Sequence, residues 1–393
     1  MRDRKLIPFY NPQITLRDVI SCLFCNIPKE KLKNELFKYF GIANIVLTGS
    51  GRHALKLALK SSKVSKGDEV IIPPFICPCV GEAALEVNAI PVFGDNDENS
   101  LNMSPESVEE AISEKTKAIV IAHIGGIPAR LDEFIEISKK YSVPLIEDCA
   151  QSFGAKYNGI FTGLHGDCGF FSFGISKNIN SVGGGALHCK NFDDKIDLSF
   201  NKPGFKIITR AYFTAFSAPI SFNKVVYGYL QRSLQGYSAN KYENSTFQLY
   251  EREITNIEAY ITFSKIKKYE ATKKLRNENA KLYYECFEGI FDFVEIPKKA
   301  EPAYLYFPAL VEDYGEVKRM KKELFREGIE VKDKSDMKYF ALWEHPKFRG
   351  YKHYGENVVD IENRYLLFPL TYPKTEVIKI CEESLRLMEP GAK

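Results

Sequence analysis

The stretch "LIEDCAQSFGAKYNGIFTGLHGDCGFFSFGISKN", residues 145–178, contains two apolar strand patterns, and Lys177 lies near its end. Its first strand ends in Glu147 and Asp148, and a carboxylate buried there is costly unless a partner stabilises it. A ligand with a pyridine nitrogen would be such a partner, because one of the two acids could keep that nitrogen protonated. Gln151 lies one helical turn further and would face the edge of the ring. Two solvent-facing acids at a strand end are the alternative interpretation.

Lys177 lies in a part of the sequence that carries little charge. Ser172 lies on the preceding strand, and three glycines, residues 183–185, follow the lysine. A nucleophilic lysine has to lose its proton, which desolvation or a nearby cation favours, and the sparse charge of residues 168–187 fits that requirement. Three successive glycines let the backbone pass close to a flat ligand. We therefore predict that Lys177 forms an imine with an aldehyde cofactor; a surface lysine in a loop is the alternative.

Short apolar runs alternate with helical patterns between about residues 44 and 190. Runs that are apolar throughout suit strands buried on both faces, as in a mostly parallel sheet covered by helices. The runs are NIVLTG (44–49), EVIIPP (69–74), IPVFGD (90–95), KAIVIAH (117–123), VPLIED (143–148), CGFFSF (168–173) and GALHC (185–189). With helix patterns such as RLDEFIEISKKY (130–141) between them, the sequence predicts an α/β layered domain.

Two further strand ends add candidate ligand contacts, since ligands bind at the carboxyl ends of strands in open α/β sheets. In "TGSGRHALKLAL", residues 48–59, a Ser-Gly turn follows a strand, and a helix begins near Arg52. The helix dipole and its first N–H groups favour a phosphate there; a plain glycine turn capped by Ser50 is the alternative. In "AHIGGIP", residues 122–128, His123 ends a strand and either faces a cofactor or makes structural hydrogen bonds.

The 393 residues predict two domains, or one large domain with an appendage, and the C-terminal part is predicted to be a smaller α+β unit. An amphipathic helix is expected from about Asn256 to Phe287, ending at Gly289. The patterns beyond it predict a strand (304–311), a helix (316–328), a strand (329–333) and a terminal helix (374–388). We divide the chain into an N-terminal arm that packs on the small domain (1–20), a large cofactor-binding domain (21–255) with an aromatic-rich elaboration at about 200–250, and the connecting helix with the small domain (256–393).

Composition and charge exclude several classes of partner. The chain has 54 Lys and Arg against 51 Asp and Glu and nowhere concentrates basic residues among aromatics, so nucleic acid is not expected as a partner. The N-terminus lacks an apolar signal core. The longest uncharged, largely apolar run, residues 211–223, is too short to cross a bilayer as a helix. We therefore expect a soluble cytoplasmic protein.

The nine cysteines are scattered along the chain. Their odd number and the missing signal peptide argue against a disulfide framework. Cys22 and Cys25 form a CxxC motif, but no second Cys or His pair follows at zinc-finger spacing, so no metal site is predicted. We expect the cysteines to act as small buried hydrophobes.

Four segments of the sequence resemble one family of enzymes. They are "GDEVIIPPF" (67–75), "IPVFGDND" (90–97), "EDCAQSFGAKYNG" (147–159) and "TGLHGDCGFFSFGISKN" (162–178). Over nearly its whole length the chain resembles the fold-type I pyridoxal 5'-phosphate (PLP) enzymes and, within them, the DegT/DnrJ/EryC1/StrS sugar aminotransferases. The resemblance implies a three-layer α/β large domain like that of aspartate aminotransferase and a smaller α+β C-terminal domain. It also implies PLP as cofactor and a homodimer with active sites near the subunit interface.

The same resemblance assigns roles to individual residues. It implies Lys177 as the Schiff-base lysine, Asp148 as the partner of the pyridinium nitrogen and Gln151 as the contact to the ring hydroxyl. The phosphate would be held by Ser172 and by the backbone of Gly51, Arg52 and His53. The family's amino donor is usually L-glutamate and its acceptor a keto-sugar, commonly nucleotide-linked, which suggests a role in surface-polysaccharide or amino-sugar biosynthesis.

Some positions depart from the family pattern. Arg52 and His53 stand where the family commonly has Thr-Ala, and Cys77 stands where an aromatic ring usually stacks on the pyridine. Glu251 lies near the position of an Asn that reaches the partner subunit's phosphate. The His/Tyr-Pro loop of the family is not clear in residues 334–346. These departures weaken the assignment of a nucleotide-linked sugar as acceptor more than the assignment of PLP as cofactor.

Three alternatives remain open from the sequence. One is a PLP enzyme that dehydrates its substrate, although family members of that kind replace the lysine with histidine. Another is a non-catalytic PLP-binding regulator, against which the complete set of Lys, Asp, Gln and Ser argues. The third concerns the aromatic-rich residues 206–236, where a subunit interface is favoured over contact with a membrane or a lipid-linked substrate.

Overall fold

The computed structural model describes residues 5–24, 29–193, 195–198, 200–234, 251–337 and 341–388. The strands are β1 Ile45–Thr48, β2 Glu69–Ile72, β3 Ile90–Phe93, β4 Thr116–Ala122, β5 Leu145–Asp148, β6 Lys156–Tyr157, β7 Ile160–Phe161, β8 Cys168–Ser172, β9 Gly185–Cys189, β10 Asp292–Phe293, β11 Ala300–Glu301, β12 Phe307–Leu310 and β13 Tyr365–Phe368. The helices are α1 Leu16–Phe24, α2 Lys29–Phe40, α3 Gly51–Ser61, α4 Cys79–Glu86, α5 Pro105–Ala111, α6 Leu131–Tyr141, α7 Phe205–Ser221, α8 Lys224–Leu234, α9 Asn256–Ile266, α10 Tyr269–Phe287, α11 Tyr314–Arg326, α12 Lys334–Met337, α13 Asn357–Arg364 and α14 Lys374–Met388.

Seven strands form the central sheet, in the order β1-β9-β8-β5-β4-β2-β3. Neighbouring strands from β8 to β3 are parallel, and β9, between β1 and β8, runs the other way. All seven apolar runs of the sequence form these strands, so the prediction of a mostly parallel sheet is confirmed. Because parallel strands end at the same edge, the segments after β4, β5 and β8 lie side by side.

Helices cover both faces of this sheet. Along β2, Val70 and Ile72 belong to one apolar cluster and Ile71 to another, as the alternation of side chains along a strand requires. Helices α3 and α4 contribute to the first cluster, and α5 and α6 contribute to the second. The predicted three-layer α/β arrangement is therefore confirmed, and it leaves the strand ends free to form a site.

A second, antiparallel sheet has the order β10-β12-β13. The strand predicted at residues 329–333 does not join it as a ladder. Ile329 and Lys332 each make a single bridge, to Ile7 and Leu367 respectively. The segment lies between two different partners, so neither side offers it a continuous row of hydrogen bonds.

The helix predicted from Asn256 to Phe287 is two helices, α9 and α10. A capping box begins α9, where Thr255 accepts from the Glu258 N–H and the Glu258 carboxylate accepts from the Thr255 N–H. The chain turns at Lys267 and Lys268, and Tyr269 is then buried with its hydroxyl donating to the Phe153 carbonyl. The buried Tyr269 thus begins a second helix at a break that the apolar period of the sequence does not reveal.

The N-terminal segment from residue 5 runs beside the C-terminal part of the chain. Ile7 N–H donates to the Gly328 carbonyl and Phe9 N–H to the Glu330 carboxylate. The Tyr372 hydroxyl donates to the Pro8 carbonyl. Helix α1 follows and packs against α7 and α9. The division of the chain into domains stays a prediction.

Residues 200–234, which follow no clear period in the sequence, contain helices α7 and α8, with Pro219 in the last turn of α7. The remainder of the predicted elaboration, residues 235–250, lies outside the described residues. Among the helices of the described ranges, none combines the length and the apolar character that a membrane crossing requires.

One expectation about the cysteines was wrong. Cys168 and Cys189 form a disulfide between β8 and β9, where they face each other in register. Sequence spacing did not reveal this pair because the register of two antiparallel strands sets it. Cys22 is buried as expected, and Cys25, the other half of the CxxC motif, lies outside the described residues.

Candidate active site

A cavity of about 410 Å³ lies where β4, β5 and β8 end. Its walls include Cys77, His123 and six of the predicted site residues, namely Gly51, Arg52, Asp148, Gln151, Ser172 and Lys177. His53 is not among the lining residues. The fold thus gathers residues from the ends of five strands, β1, β2, β4, β5 and β8, around one space.

Asp148 lines the cavity at the end of β5. Its Oδ1 accepts a hydrogen bond of 2.9 Å from the Ala150 N–H. Burial raises the pKa of Asp148, against the opposing effects of that N–H and of the charge on Lys177. A carboxylate in this setting is stabilised by a cation, and a protonated pyridine nitrogen is such a cation.

Glu147, the preceding residue, is held within the protein. Its carboxylate accepts four hydrogen bonds of 2.7–3.2 Å, from the N–H groups of Gly163, His165 and Gly166 and from His123 Nε2. Burial alone would raise the pKa of Glu147, but the bonds from His123 and the backbone hold it below its usual value. All the lone-pair sites of this carboxylate are therefore used, which leaves Asp148 as the acid for a ligand.

His123 combines a structural role with a place in the cavity wall. Its Nδ1 accepts a hydrogen bond of 3.1 Å from the Ala129 N–H, so Nε2 carries the ring proton and donates it to Glu147. His123, Glu147 and Cys149 lie close enough together to hold a metal ion. The hydrogen bonds already occupy the ring nitrogens and the carboxylate, so this cluster fits a structural network better than a metal site.

Gln151 is oriented by two hydrogen bonds to one atom. Its Oε1 accepts from the Gly125 N–H at 2.9 Å and from the Tyr306 hydroxyl at 2.8 Å. These two bonds fix the orientation of the amide, and Gln151 lines the cavity.

The start of α3 passes very close to β8. A Cβ added at Gly51 would lie 2.8 Å from the Cβ of Ser172, so a side chain there would force the two segments apart. Ser50 caps the helix, and its Oγ accepts from the His53 N–H at 3.2 Å. Ser172, Gly51 and Arg52 border the cavity. The backbone N–H of His53, which was predicted to contact the phosphate, instead donates to the Ser50 side chain that caps the helix.

Arg52 and Glu251, which depart from the family pattern, both have partners in the chain. Arg52 Nη1 lies 3.1 Å from the Glu82 carboxylate, which also pairs with Lys347. Glu251 pairs with Lys56. The charge of Glu251 is therefore compensated within the subunit, and Arg52 is held against α4 at the rim of the cavity.

Cys77 and Cys79 line the cavity before and at the start of α4. A hydrogen bond between the two thiols lowers the pKa of Cys77, to which Lys177 and Arg52 add, and raises the pKa of Cys79. The position that carries an aromatic ring in the family pattern thus carries an acidic thiol here.

Sequence reasoning missed the part of the wall that comes from distant segments, namely Tyr10, Tyr227, Lys332, Asp336 and Met337. The Tyr227 hydroxyl donates to Glu330 at 2.8 Å, and the carboxylate of Glu330 also pairs with Lys332. No local motif marks these residues. The one available signal was the family's substrate loop, whose expected place overlaps Asp336 and Met337.

An α/β sheet that presents a lysine and a buried acid to one cavity agrees with the arrangement that the resemblance to fold-type I PLP enzymes implies. The model of the DegT/DnrJ/EryC1/StrS aminotransferase family matches residues 28–377, and the chain belongs to this family. PLP is the cofactor of the family.

The chain is similar to several curated proteins. It is 31% identical to the uncharacterized protein MJ1066 of Methanocaldococcus jannaschii over 88% of this chain and 86% of that protein. It is 42% identical to an L-glutamine:2-deoxy-scyllo-inosose aminotransferase of Streptomyces lividus over 40% of this chain and 37% of that protein. It is 41% identical to a UDP-N-acetyl-3-dehydro-alpha-D-glucosamine 3-aminotransferase of Acidithiobacillus ferrooxidans over 40% of this chain and 42% of that protein. The matches to these two aminotransferases thus span about two fifths of their length.

Solved structures share the fold over nearly the whole chain. DesV of Streptomyces venezuelae has a TM-score of 0.75 at 19% identity, with 98% of this chain and 99% of that chain covered. The PLP form of the sugar aminotransferase Spr1654 of Streptococcus pneumoniae has a TM-score of 0.74 at 21% identity, with 98% of both chains covered.

The cavity suits PLP in its chemistry. Asp148 is a buried carboxylate whose raised pKa favours a cationic partner, and Gln151 is a polar side chain in the cavity wall. At Gly51 the missing Cβ leaves the start of α3 in contact with Ser172, where backbone N–H groups suit a phosphate. Lys177 supplies the amine that an aldehyde requires.

Proposed function

We propose that the chain is a PLP-dependent aminotransferase that moves an amino group from L-glutamate, or a closely related donor, to a keto-sugar that is linked to a nucleotide. The observation that carries this proposal is that Lys177 and Asp148 line one cavity. One relative is named for 2-deoxy-scyllo-inosose and another for a UDP-linked dehydro-glucosamine. These names support a sugar or a sugar-like ketone as the acceptor.

Lys177 would be the acid and base of the reaction. When bound, PLP supplies an aldehyde that captures amino groups and a ring that accepts electrons from the neighbouring carbon. The Lys177 Nζ would remove the proton from the α-carbon of the donor and later return a proton to the carbon that receives the amino group. Its place in the turn after β8 brings the amine into the same cavity as Asp148.

The other cavity residues would hold and polarise the cofactor. The Asp148 carboxylate would keep a proton on the ring nitrogen, and the Gln151 NH2 would donate to the ring oxygen. Ser172 and the backbone of Gly51 and Arg52 would bind the phosphate. Each of these roles uses a polar group whose orientation is set by an internal hydrogen bond or by close packing.

The test compares Lys177→Ala with Lys139→Ala, which removes an exposed lysine from α6. With a nucleotide-linked keto-sugar present to accept the amino group, the native protein and Lys139→Ala are expected to bind PLP with a visible absorption band and to convert L-glutamate to 2-oxoglutarate. Lys177→Ala should lose the band and about 10³-fold or more of the turnover. Retention of both by Lys177→Ala would refute the proposal.

Product analysis separates the remaining alternatives. An aminated sugar is expected from a nucleotide-linked keto-sugar and L-glutamate. A sugar that has lost a hydroxyl group would instead show a dehydratase. PLP binding without any reaction with common amino donors would show a regulator.

A further inference from the structure

Helix α7 carries its large side chains outward and its small ones inward. Ala211, Ala215 and Ala218 pack against the interior, together with residues of α1 and α9. The opposite stripe exposes Phe205 at 82% and Phe213 at 74%. A helix whose aromatic face points away from its own protein needs a partner for that face.

The exposed stripe is continuous with one on the next helix. We define the α7–α8 face as Phe205, Phe213, Phe216 and Ile220 of α7 with Val225, Tyr229 and Leu230 of α8, all of which are exposed. The spacing of the α7 members is i, i+8, i+11 and i+15, which places them on one side of a helix. At 17 residues, α7 is about 25 Å long.

The segment that forms this face carries charge of one sign. Residues 200–234 contain five basic residues and no acidic one. Lys202, Lys206 and Arg210 are exposed, and within the described part of the chain no acidic side chain forms an ion pair with them. Lys224, by contrast, pairs with Glu376. The apolar stripe is therefore bordered by uncompensated positive charge.

The exposed apolar stripe and its positive border favour an anionic lipid surface over a second copy of the chain as the partner of this face. A second copy of the chain docked on this face about a two-fold axis would bring together two faces that carry the same positive charge. An anionic lipid surface complements both features, because lysines and arginines attract its headgroups while aromatic and aliphatic side chains enter the boundary of the acyl chains. We propose that the α7–α8 face binds the surface of an anionic phospholipid bilayer, with α7 lying in the plane of the membrane.

The placement of α8 gives this binding a consequence for the cavity. Tyr227 lines the cavity, while its neighbours Val225 and Tyr229 belong to the exposed face. One helix thus forms part of both surfaces. Membrane binding would hold the cavity close to the layer of lipid headgroups, whatever reaction takes place there.

The test is co-sedimentation of the purified full chain with vesicles. Vesicles of phosphatidylcholine mixed with phosphatidylglycerol should bind the protein at low salt and release it at high salt. Vesicles of phosphatidylcholine alone should bind it far more weakly. Absence of binding to the anionic vesicles, or equal binding to both kinds, would overturn the proposal.

Variants locate the binding surface. Lys206→Gln with Arg210→Gln should weaken the partition by roughly 25-fold, about fivefold for each basic residue. Phe213→Ser with Phe216→Ser should weaken it by about tenfold or more. The matched controls, Lys274→Gln for an exposed lysine of α10 and Ile160→Ser for an exposed apolar residue of β7, should bind as the native chain does.

Two further measurements distinguish a loss of membrane binding from misfolding and from a change in self-association. Circular dichroism and the melting temperature check that each variant is folded. We expect the variants to fold because the substituted side chains are exposed. Analytical ultracentrifugation without lipid measures the oligomeric state. If Phe213→Ser with Phe216→Ser dissociates an oligomer of the native chain, the face is a subunit interface and the membrane proposal is wrong.

Discussion

Glu147 and Asp148 are neighbours at the end of β5, and the two sides of the sheet give them opposite properties. The Glu147 carboxylate accepts four hydrogen bonds from the protein, whereas the Asp148 carboxylate accepts one from the Ala150 N–H and borders the cavity. The pKa of Glu147 is lowered and that of Asp148 is raised. Both are buried carboxylates, so the difference comes from their partners.

The comparison shows how a buried acid can be structural or functional. Where the protein supplies every partner, the charge is stabilised in the absence of a ligand, and the residue contributes to folding. Where partners are missing, the charge is costly until a ligand provides a cation. A cationic ligand can therefore stabilise the Asp148 carboxylate, whereas the Glu147 carboxylate already has its hydrogen-bond partners within the protein.

Of substitutions at the two acids, Asp148→Asn is expected to have the larger effect on activity. The amide can no longer hold a proton on the ring nitrogen, so aminotransferase activity should fall by about 10³-fold, while the fold is retained. Activity assays at saturating PLP measure the loss, and circular dichroism checks the fold. Activity within tenfold of the native protein would contradict the role given to Asp148.

A smaller and different effect is expected from Glu147→Gln. The NH2 of the glutamine would face N–H donors that now bond to a carboxylate, which should lower the free energy of unfolding by about 2–4 kcal/mol. Chemical denaturation of the cofactor-free protein measures it. Glu136→Gln, at an exposed position of α6, is the control and should stay within about 0.5 kcal/mol of the native protein. An equally small change for Glu147→Gln would mean that its hydrogen bonds do not stabilise the fold.

The sequence predicted the sheet and the cavity floor because both depend on regular features. Apolar runs marked the seven strands, and parallel strands bring their carboxyl ends to one edge. The sequence pattern alone did not decide between Glu147 and Asp148, because that choice depends on which side of the sheet meets the loop at residues 163–166. The family resemblance pointed to Asp148.

The remaining differences have a common physical cause. His53 was assigned to a phosphate, but its N–H is used by the Ser50 cap. The break between α9 and α10 lies beside the buried Tyr269, and the Cys168–Cys189 disulfide follows from strand register. Each depends on contacts between segments that are distant in the sequence, which local patterns do not encode.

The two acids should also respond to pH in opposite directions when the cofactor is absent. Since the pKa of Asp148 is raised above its ordinary value of 3.8, its ionisation lowers the stability of the folded protein as pH rises through that raised pKa. The pKa of Glu147 is lowered from 4.5. Its ionised carboxylate therefore contributes its full stabilisation of the fold above pH 4.5, and this stabilisation is lost as pH falls through the folded-state pKa. When melting temperatures are measured against pH, the melting temperature of Asp148→Asn should increase relative to that of the native protein as pH rises toward neutral. The deficit of Glu147→Gln should shrink in acid.

The smallest effect is expected at the rim, where Cys77 and Cys79 form a second pair of close groups with opposite shifts. Iodoacetamide should label Cys77 at a pH below the range of an ordinary thiol, because its pKa is lowered, while Cys79, whose pKa is raised, should resist. Mass spectrometry of the labelled peptide separates the two sites when Cys77→Ser and Cys79→Ser are compared. Because both thiols line the cavity, bound PLP should slow the labelling of Cys77. Preferential labelling of Cys79 would show that the hydrogen bond between the thiols runs in the opposite direction.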